Sequence, residues 1–152
     1  MPLSRLSFAL VLGALALPAA GLAAEKTRTI DGLTGPAQPK GLSVEERGAL
    51  ALGREFAESP VVSTRALRAR VLTLEPGGVV LIHDHTDRPA VTLIQQGEVI
   101  EHRSDSDKPI LRRAGDVTFD GDGIAQWWEN KSEETVIFYV VDFFDTGTKP
   151  DH

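Results

Sequence analysis

Residues 77–97 read GGVVLIHDHTDRPAVTLIQQG, and two histidines in this segment, His83 and His85, decide how the chain is interpreted. Side chains alternate between the two faces of an extended strand, so residues two apart point to the same side. Both imidazoles are therefore predicted to face one point inside a β-sheet. A β-protein presents nitrogen ligands to a transition metal in this way. The segment predicts a strand that carries half of a metal or ligand site.

Short β-type runs recur from residue 61 onward, and Gly, Pro and Asp separate them. Residues 75–78, Glu-Pro-Gly-Gly, are predicted to turn the chain between the first two strands. Short strands at such close spacing predict an all-β sandwich or barrel. The predicted strands cover residues 67–74, 79–85, 90–96, 98–102, 110–112, 117–119, 124–128 and 135–144.

The region before these strands has a different texture. Residues 25–41 are polar and rich in Gly and Pro, which predicts a mobile leader. Ser43 and Glu46 form a Ser-x-x-Glu capping box, the signature of a helix start. Ser59-Pro60 ends the segment, so we expect one short helix that packs on the barrel. Its imperfect apolar stripe consists of Leu50, Leu52 and Phe56.

Residues 1–24 have the three-part layout of a secretory signal peptide, with the cleavage expected near Ala24. Arg5 supplies the positive charge, and the apolar run at 8–17 is about half of the roughly 20 residues that a membrane span needs. We therefore expect a periplasmic or secreted protein, with no membrane association after cleavage. The chain has no Cys, which excludes disulfides, a lipid attached at the cleavage site and thiolate metal sites.

Composition limits the remaining classes of function. The net charge is −6 and no basic run occurs, which argues against nucleic acid as a partner. The predicted organisation is a signal peptide at 1–24, a leader with the short helix at 25–60, one barrel at 61–145 and a tail at 146–152.

The glycine and histidine framework resembles the cupin superfamily, small β-barrels of the jelly-roll type. The first cupin motif is Gly, five residues, His-x-His, then Glu, six residues and Gly. This chain matches it with Gly77, His83, His85 and Gly97, and Ala90 stands at the Glu position.

The second cupin motif is Gly, five residues, Pro-x-Gly, two residues, His, three residues and Asn. It is matched by Gly115, Gly123 and Asn130, while Gly121 replaces the Pro and Gln126 replaces the His. The resemblance implies a jelly-roll barrel, here with a short N-terminal helix, and a pocket in its mouth.

The resemblance also implies a metal site, because cupins usually draw three His and one Glu from the two motifs. Here the corresponding ligands are His83, His85 and Gln126, since Ala90 has no ligating atom. This set carries no negative charge to compensate a dication. The implied divalent metal (Fe, Mn, Ni or Zn) is therefore expected to be weakly held or absent.

Three further residues are candidates for ligand binding. Arg88 is predicted at the rim, where it could pair with an anionic substrate or form a turn salt bridge with Asp84 or Asp87. Trp128 shares a face with Gln126 and is either an aromatic wall or core. His102, with its neighbour Glu101, is either a substitute ligand or part of a solvated strand end.

Two functions stay open from the sequence. The first is an exported cupin that binds a small molecule in its barrel, with a weak or absent metal site. The alternative is a divalent-metal-dependent oxygenase, isomerase or lyase that uses His83, His85 and Gln126. A third arrangement, a homodimer through the outer sheet face and the predicted helix, is compatible with either.

Overall fold

The computed structural model describes residues 26–121 and 123–146, so the predicted signal peptide and nearly all of the tail lie outside the described residues. Every regular element in the described part is a β-strand, which confirms the all-β prediction. No helix among these residues is long and apolar enough to cross a membrane. The strands are β1 Thr27–Ile30, β2 Leu33–Pro36, β3 Lys40–Ala51, β4 Arg65–Asp84, β5 Ala90–Gln96, β6 Glu98–Arg103, β7 Ile110–Arg113, β8 Val117–Asp120, β9 Ala125–Glu129 and β10 Val136–Asp145.

One strongly curled antiparallel sheet forms the body of the molecule. Its strand order is β7-β6-β9-β4-β10-β5-β8, and β3 pairs with β4 outside this sequence of neighbours. The first half of β4 pairs with β10 and β3, whereas its second half pairs with β9. A single strand thus links the two walls of the barrel.

The predicted chain reversal at residues 75–78 is wrong, because β4 continues through this segment as a bend. Gly77 adopts a positive φ of 69°, and its N–H donates to the carbonyl of Asn130 at 2.9 Å. A Cβ on Gly78 would lie 2.7 Å from the carbonyl oxygen of Glu75, so only glycine fits there. Gly77 of the cupin pattern, with Gly78, therefore allows β4 to bend at a corner of the barrel.

Asn130 holds the opposite side of this corner. Its amide nitrogen donates to the carbonyls of Leu74 (3.1 Å) and Glu134 (2.7 Å), and its amide oxygen accepts from the backbone and hydroxyl of Ser132. The side chain is 1% exposed. The Asn of the second motif is thus structural, since it satisfies buried backbone groups where the strands change direction.

The predicted helix from Ser43 to Glu58 is wrong. Residues 43–51 belong to β3, which pairs along β4 from Lys40 to Ala51, and residues 53–64 form turns. A capping box contributes only about 1 kcal/mol, whereas a long strand pairing satisfies backbone groups throughout. The apolar stripe also fails to make one buried face, because Leu50 and Phe56 are 54% and 49% exposed.

The predicted mobile leader is also wrong where the structure describes it. Residues 27–36 form a β1–β2 hairpin that lies against β4 and β9. Gly35 contacts the Trp127 ring so closely that a Cβ would lie 2.5 Å from it. Arg28 donates from Nε to the Ile82 carbonyl at 3.1 Å, and its Nη2 donates to the same oxygen.

The barrel interior divides into two zones of opposite character. The barrel base is apolar and lies next to the bend of β4, and the barrel mouth contains the buried or partly buried polar side chains at the other ends of the strands. The base comprises Leu74, Val80, Ala90, Ile94, Val99, Trp128, Val136, Phe138 and Val140. The mouth comprises Arg68, Arg70, His83, His85, Glu101, Arg103, Asp120, Gln126 and Asp142.

Candidate functional site

A β-bulge turns the histidine pair toward the barrel interior. Val80 lies opposite Trp128 and His83 lies opposite Gln126, so β4 has one residue more than β9 between these two pairs. The extra residue reverses the alternation along β4. Strict alternation from the inward Val80 would have sent His83 and His85 to the outer face. The bulge instead places both on the side of Gln126.

Backbone carbonyls fix the tautomers of both histidines. The Nδ1–H of His83 donates to the carbonyl of Leu81 at 2.9 Å, and the Nδ1–H of His85 donates to the carbonyl of Arg88 at 3.0 Å. A carbonyl can only accept, so each Nε2 keeps its lone pair. The ring centroids lie 5.1 Å apart. The pair therefore offers two acceptor nitrogens to the mouth.

Burial keeps these imidazoles neutral. It is the largest cause that lowers the pKa of His83 to about 3, and the positive charges of Arg88 and Arg70 lower it further. Burial also lowers the pKa of His85. Some edge of His83 still reaches solvent at the rim. Near neutral pH both rings act as hydrogen-bond acceptors or as metal ligands.

Gln126 contains an unsatisfied buried acceptor. Its Nε2 donates to the Nε2 of His85 at 2.9 Å, an orientation that the His85 tautomer requires. Its Oε1 is buried and has no hydrogen-bond partner among the described residues. Leaving such a group unpaired costs about 1–3 kcal/mol. The Oε1 atom is thus a candidate contact for a ligand or an ordered water.

Asp142 lies on the strand next to Ala90, the position at which the cupin motif has Glu. It pairs in register with Ala90 on one side and with Arg68 on the other. The carboxylate accepts from Arg68 Nε at 3.0 Å and Nη2 at 2.7 Å, and from Arg70 Nη2 at 3.0 Å. The carboxylate in register with Ala90 is therefore fully engaged by two guanidinium groups.

Arg88 is partly buried just after β4, and its positive charge acts on His83, His85 and Arg70. Its backbone N–H donates to the carbonyl of His85 at 3.0 Å, which closes a tight turn after β4. In the described part of the chain, its guanidinium has no carboxylate partner. Asp84 instead accepts from the N–H of Thr86 at 2.9 Å, so the turn salt bridge considered above is not formed with it.

A second charged cluster closes the mouth on the β6 and β8 side. Arg103 donates to Glu101 at 2.9 Å, to Asp120 at 2.6 Å and to Asp105 at 2.8 Å. Arg112 donates to the other oxygen of Glu101 at 2.7 Å. Glu101 and Asp120 face inward, yet both carboxylates are engaged by arginines.

Two sequence candidates lie outside the mouth. His102 lies on the opposite face from Glu101, where it stacks on Trp127 at 3.7 Å between centroids and contacts Glu129 at 2.9 Å. Strand alternation places it there. Trp128 faces inward but belongs to the base, where it makes an edge contact with Phe138. The structure brings together His83, His85, Gln126 and Arg88.

These residues do not fit a tightly held divalent metal. His83, His85 and Gln126 are all neutral donors, and the Gln126 amide N–H already binds the lone pair of His85. The inward carboxylates are committed to arginines, and no group of three or more His, Cys, Asp or Glu able to hold a metal occurs in the described segments. Desolvation of a dication without a carboxylate is costly.

Sequence reasoning missed the arginine–aspartate cluster of Arg68, Arg70 and Asp142. The available signal was alternation, because Arg68 and Arg70 share the parity of Leu72 and Leu74 on β4. Charged residues whose side chains alternate onto the buried face of a strand indicate a buried ion pair. The bulge before His83 left no comparable signal.

Comparisons with solved structures identify the architecture. The cupin domain of Schizosaccharomyces pombe Cnp3 matches with a TM-score of 0.53 and 16% identity over 72% of this chain, which spans 65% of that domain. A Klebsiella pneumoniae protein with a double-stranded β-helix domain matches at 0.53 and 16% identity, covering 74% of this chain and 82% of that one. KdgF from Halomonas matches at 0.51 and 11% identity, covering 67% and 80%.

No family model and no curated protein matches the sequence. At these identities the similarity shows the fold alone. The glycine framework predicted that fold, and the strongly curled antiparallel sheet and the matched structures support it: the chain has a cupin-type fold.

Proposed function

We propose that this chain binds a small polar molecule in the barrel mouth, without a tightly held metal. The observation that carries the proposal is the buried, unpaired Oε1 of Gln126 beside the neutral His85. Unsatisfied buried polar groups are rare in folded proteins and are candidates for ligand contacts. Among the described residues, Arg88, the buried Nε of Arg70 and the Nε2 of His83 are further unpaired polar groups at this end of the barrel.

The surrounding structure supports binding more than catalysis. The inward carboxylates Asp120, Glu101 and Asp142 are held in ion pairs, so none of these three is free to act as a general base. Both imidazoles are oriented by backbone carbonyls. Such pre-organisation lowers the entropic cost of binding a ligand.

Export forms part of the same proposal. It rests on the sequence of residues 1–24, and N-terminal sequencing of the chain isolated from the periplasm or medium tests it. A mature chain that begins near residue 25 is expected. A chain that keeps Met1 in the membrane or cytoplasm would contradict it.

The binding proposal is tested by NMR on the protein purified without added metal. We expect a small hydroxylated or charged probe, drawn from sugars, polyols and carboxylic acids, to shift the side-chain signals of Gln126 and the imidazole signals of His85. Elemental analysis is made on the same sample. The proposal fails if no probe shifts these signals, or if stoichiometric Fe, Mn, Ni or Zn is lost on His83→Ala.

A further inference from the structure

We infer that the ligand of the barrel mouth is a small hydroxycarboxylate, whose carboxylate binds Arg88 and whose hydroxyl donates to Gln126. This inference rests on the proposed function and adds the chemical class of the ligand. Three features of the mouth carry it: an excess of positive charge, an unpaired donor and an unpaired acceptor.

The excess of positive charge lies on the β4 and β10 side of the mouth. Arg68 and Arg70 share the single carboxylate of Asp142. Arg88 adds a further guanidinium that no carboxylate of the described chain engages. Glu46 on the exposed part of β3 acts on Arg68 and Arg70 only through space. A chain with a net charge of −6 thus concentrates unpaired positive charge at this point.

The unpaired donor is the Nε of Arg70. This atom is buried and has no acceptor among the described residues, although the Nη2 of the same side chain donates to Asp142. A buried guanidinium nitrogen requires an oxygen acceptor, and a carboxylate supplies two. Arg88, whose charge acts on Arg70, can form the bidentate pair that a carboxylate prefers. Together these groups indicate an anionic ligand.

The unpaired acceptors indicate a second feature of that ligand. Gln126 Oε1 is buried without a donor, and the Nε2 of His83 has none in the described chain. A simple carboxylate would leave both unsatisfied, because it cannot donate. A hydroxyl group donates one hydrogen bond, so a molecule carrying a hydroxyl beside its carboxylate satisfies the buried acceptor of Gln126 as well as the donors on the arginine side.

Asp120 and Glu101 limit where the anion can bind. Both carboxylates face the interior on the β6 and β8 side, and Asp120 interacts favourably with a positive charge on His85. Arg103 and Arg112 offset these two negative charges, so this side of the mouth has no excess positive charge for an anion. The anionic group of the ligand therefore belongs on the Arg70 and Arg88 side, and the hydroxyl belongs toward Gln126.

Three probes separate the two features: propionate carries only the carboxylate, glycerol only hydroxyls, and lactate both. We expect lactate to bind at least about tenfold more tightly than propionate or glycerol, as measured by NMR titration of Gln126 and His85. Arg88→Gln should lower the affinity for lactate at least about tenfold and leave the affinity for glycerol unchanged. Arg113→Gln, an exposed arginine paired with Glu98, is the matched control and should bind lactate as the wild type does.

Gln126→Glu supplies a second test, because its carboxylate would repel the ligand without changing side-chain length. Its lactate affinity should also fall by at least about tenfold. The inference is wrong if glycerol binds as well as lactate and Arg88→Gln changes neither; the proposed binding function then stands. If none of the probes shifts the signals of Gln126 or His85, both proposals fail.

Discussion

The base and the mouth of this barrel are built from the same strands but have opposite chemistry. Along β10, Val136, Phe138 and Val140 face the apolar base, and Asp142 follows with the same parity in the mouth. Along β9, Trp128 lies in the base and Gln126 in the mouth. On both strands the apolar residues of the base give way to a buried polar residue in the mouth.

We interpret this difference as a division of roles, in which the base contributes most to stability and the mouth forms the candidate ligand site. Apolar burial contributes about 25 cal/mol for each Å² removed from water, and the base supplies it. Buried ion pairs are weak stabilisers, because desolvation offsets much of the Coulomb attraction. The buried polar set of the mouth is therefore not explained by a need for stability. Its convergence on the unpaired Gln126 Oε1 fits a ligand site.

The largest expected effects come from one substitution in each zone. Phe138→Ala should lower the free energy of unfolding by about 3–5 kcal/mol, because it leaves a cavity in the base. Asp142→Ala should cost about 3–5 kcal/mol, because it leaves Arg68 and Arg70 without their carboxylate. Urea unfolding measures both.

A triple variant distinguishes the two causes. Replacing Arg68 and Arg70 with Met and Asp142 with Leu removes the charges together, and the free energy of unfolding should equal or exceed that of the wild type. No such rescue is available for Phe138. A triple variant as unstable as Asp142→Ala would show that the fold itself depends on the ion cluster.

A second prediction concerns pH. The folded pKa of His83 is lowered to about 3 from the ordinary 6.5, mainly by burial, so the unfolded chain takes up the proton first as the pH falls. The contribution to stability is complete above about 6.5 and is lost progressively toward pH 3, by up to ~1.4 kcal/mol per pH unit. His83→Asn should flatten the stability profile over this window. Parallel profiles of variant and wild type would contradict the burial of this ring.

The smallest expected effect tests the β-bulge. Arg28 holds the Ile82 carbonyl next to His83, so Arg28→Ala should lower the free energy of unfolding by only about 1–2 kcal/mol. It should also shift the imidazole nitrogen signals of His83 and His85 in NMR spectra. Lys26→Ala, just before the hairpin, is the control. Unchanged imidazole signals in the Arg28 variant would mean that the bulge is fixed by β4 and β9 alone.

Sequence reasoning succeeded for local alternation and for glycine spacing. It predicted most strands from β5 to β10 to within a few residues, because their apolar alternation reflects one buried face. It failed between residues 27 and 51. There β3 is largely exposed on both faces, so no strand period is visible, and the capping box at Ser43 suggested a helix.

The candidate site shows the same limit. His83, His85 and Gln126 were identified from motif positions and Arg88 from its place after the histidine pair, but the contacts that orient these side chains were not predictable. The inward direction of the histidines depends on a bulge that exists only when β4 pairs with β9. The pairing of Asp142 with Arg68 and Arg70 joins residues more than 70 positions apart, and no local pattern encodes such a contact.

The sequence by itself determined the all-β class, the cupin glycine framework and the replacement of two metal ligands by Ala90 and Gln126. These features are local, since alternation and turn geometry act over a few residues. Only the tertiary structure decided that a β-bulge turns the histidines inward, that Asp142 is neutralised and that Gln126 Oε1 and Arg88 are unpaired. Those properties depend on which strands meet, and strand pairing is a long-range choice made by the whole barrel.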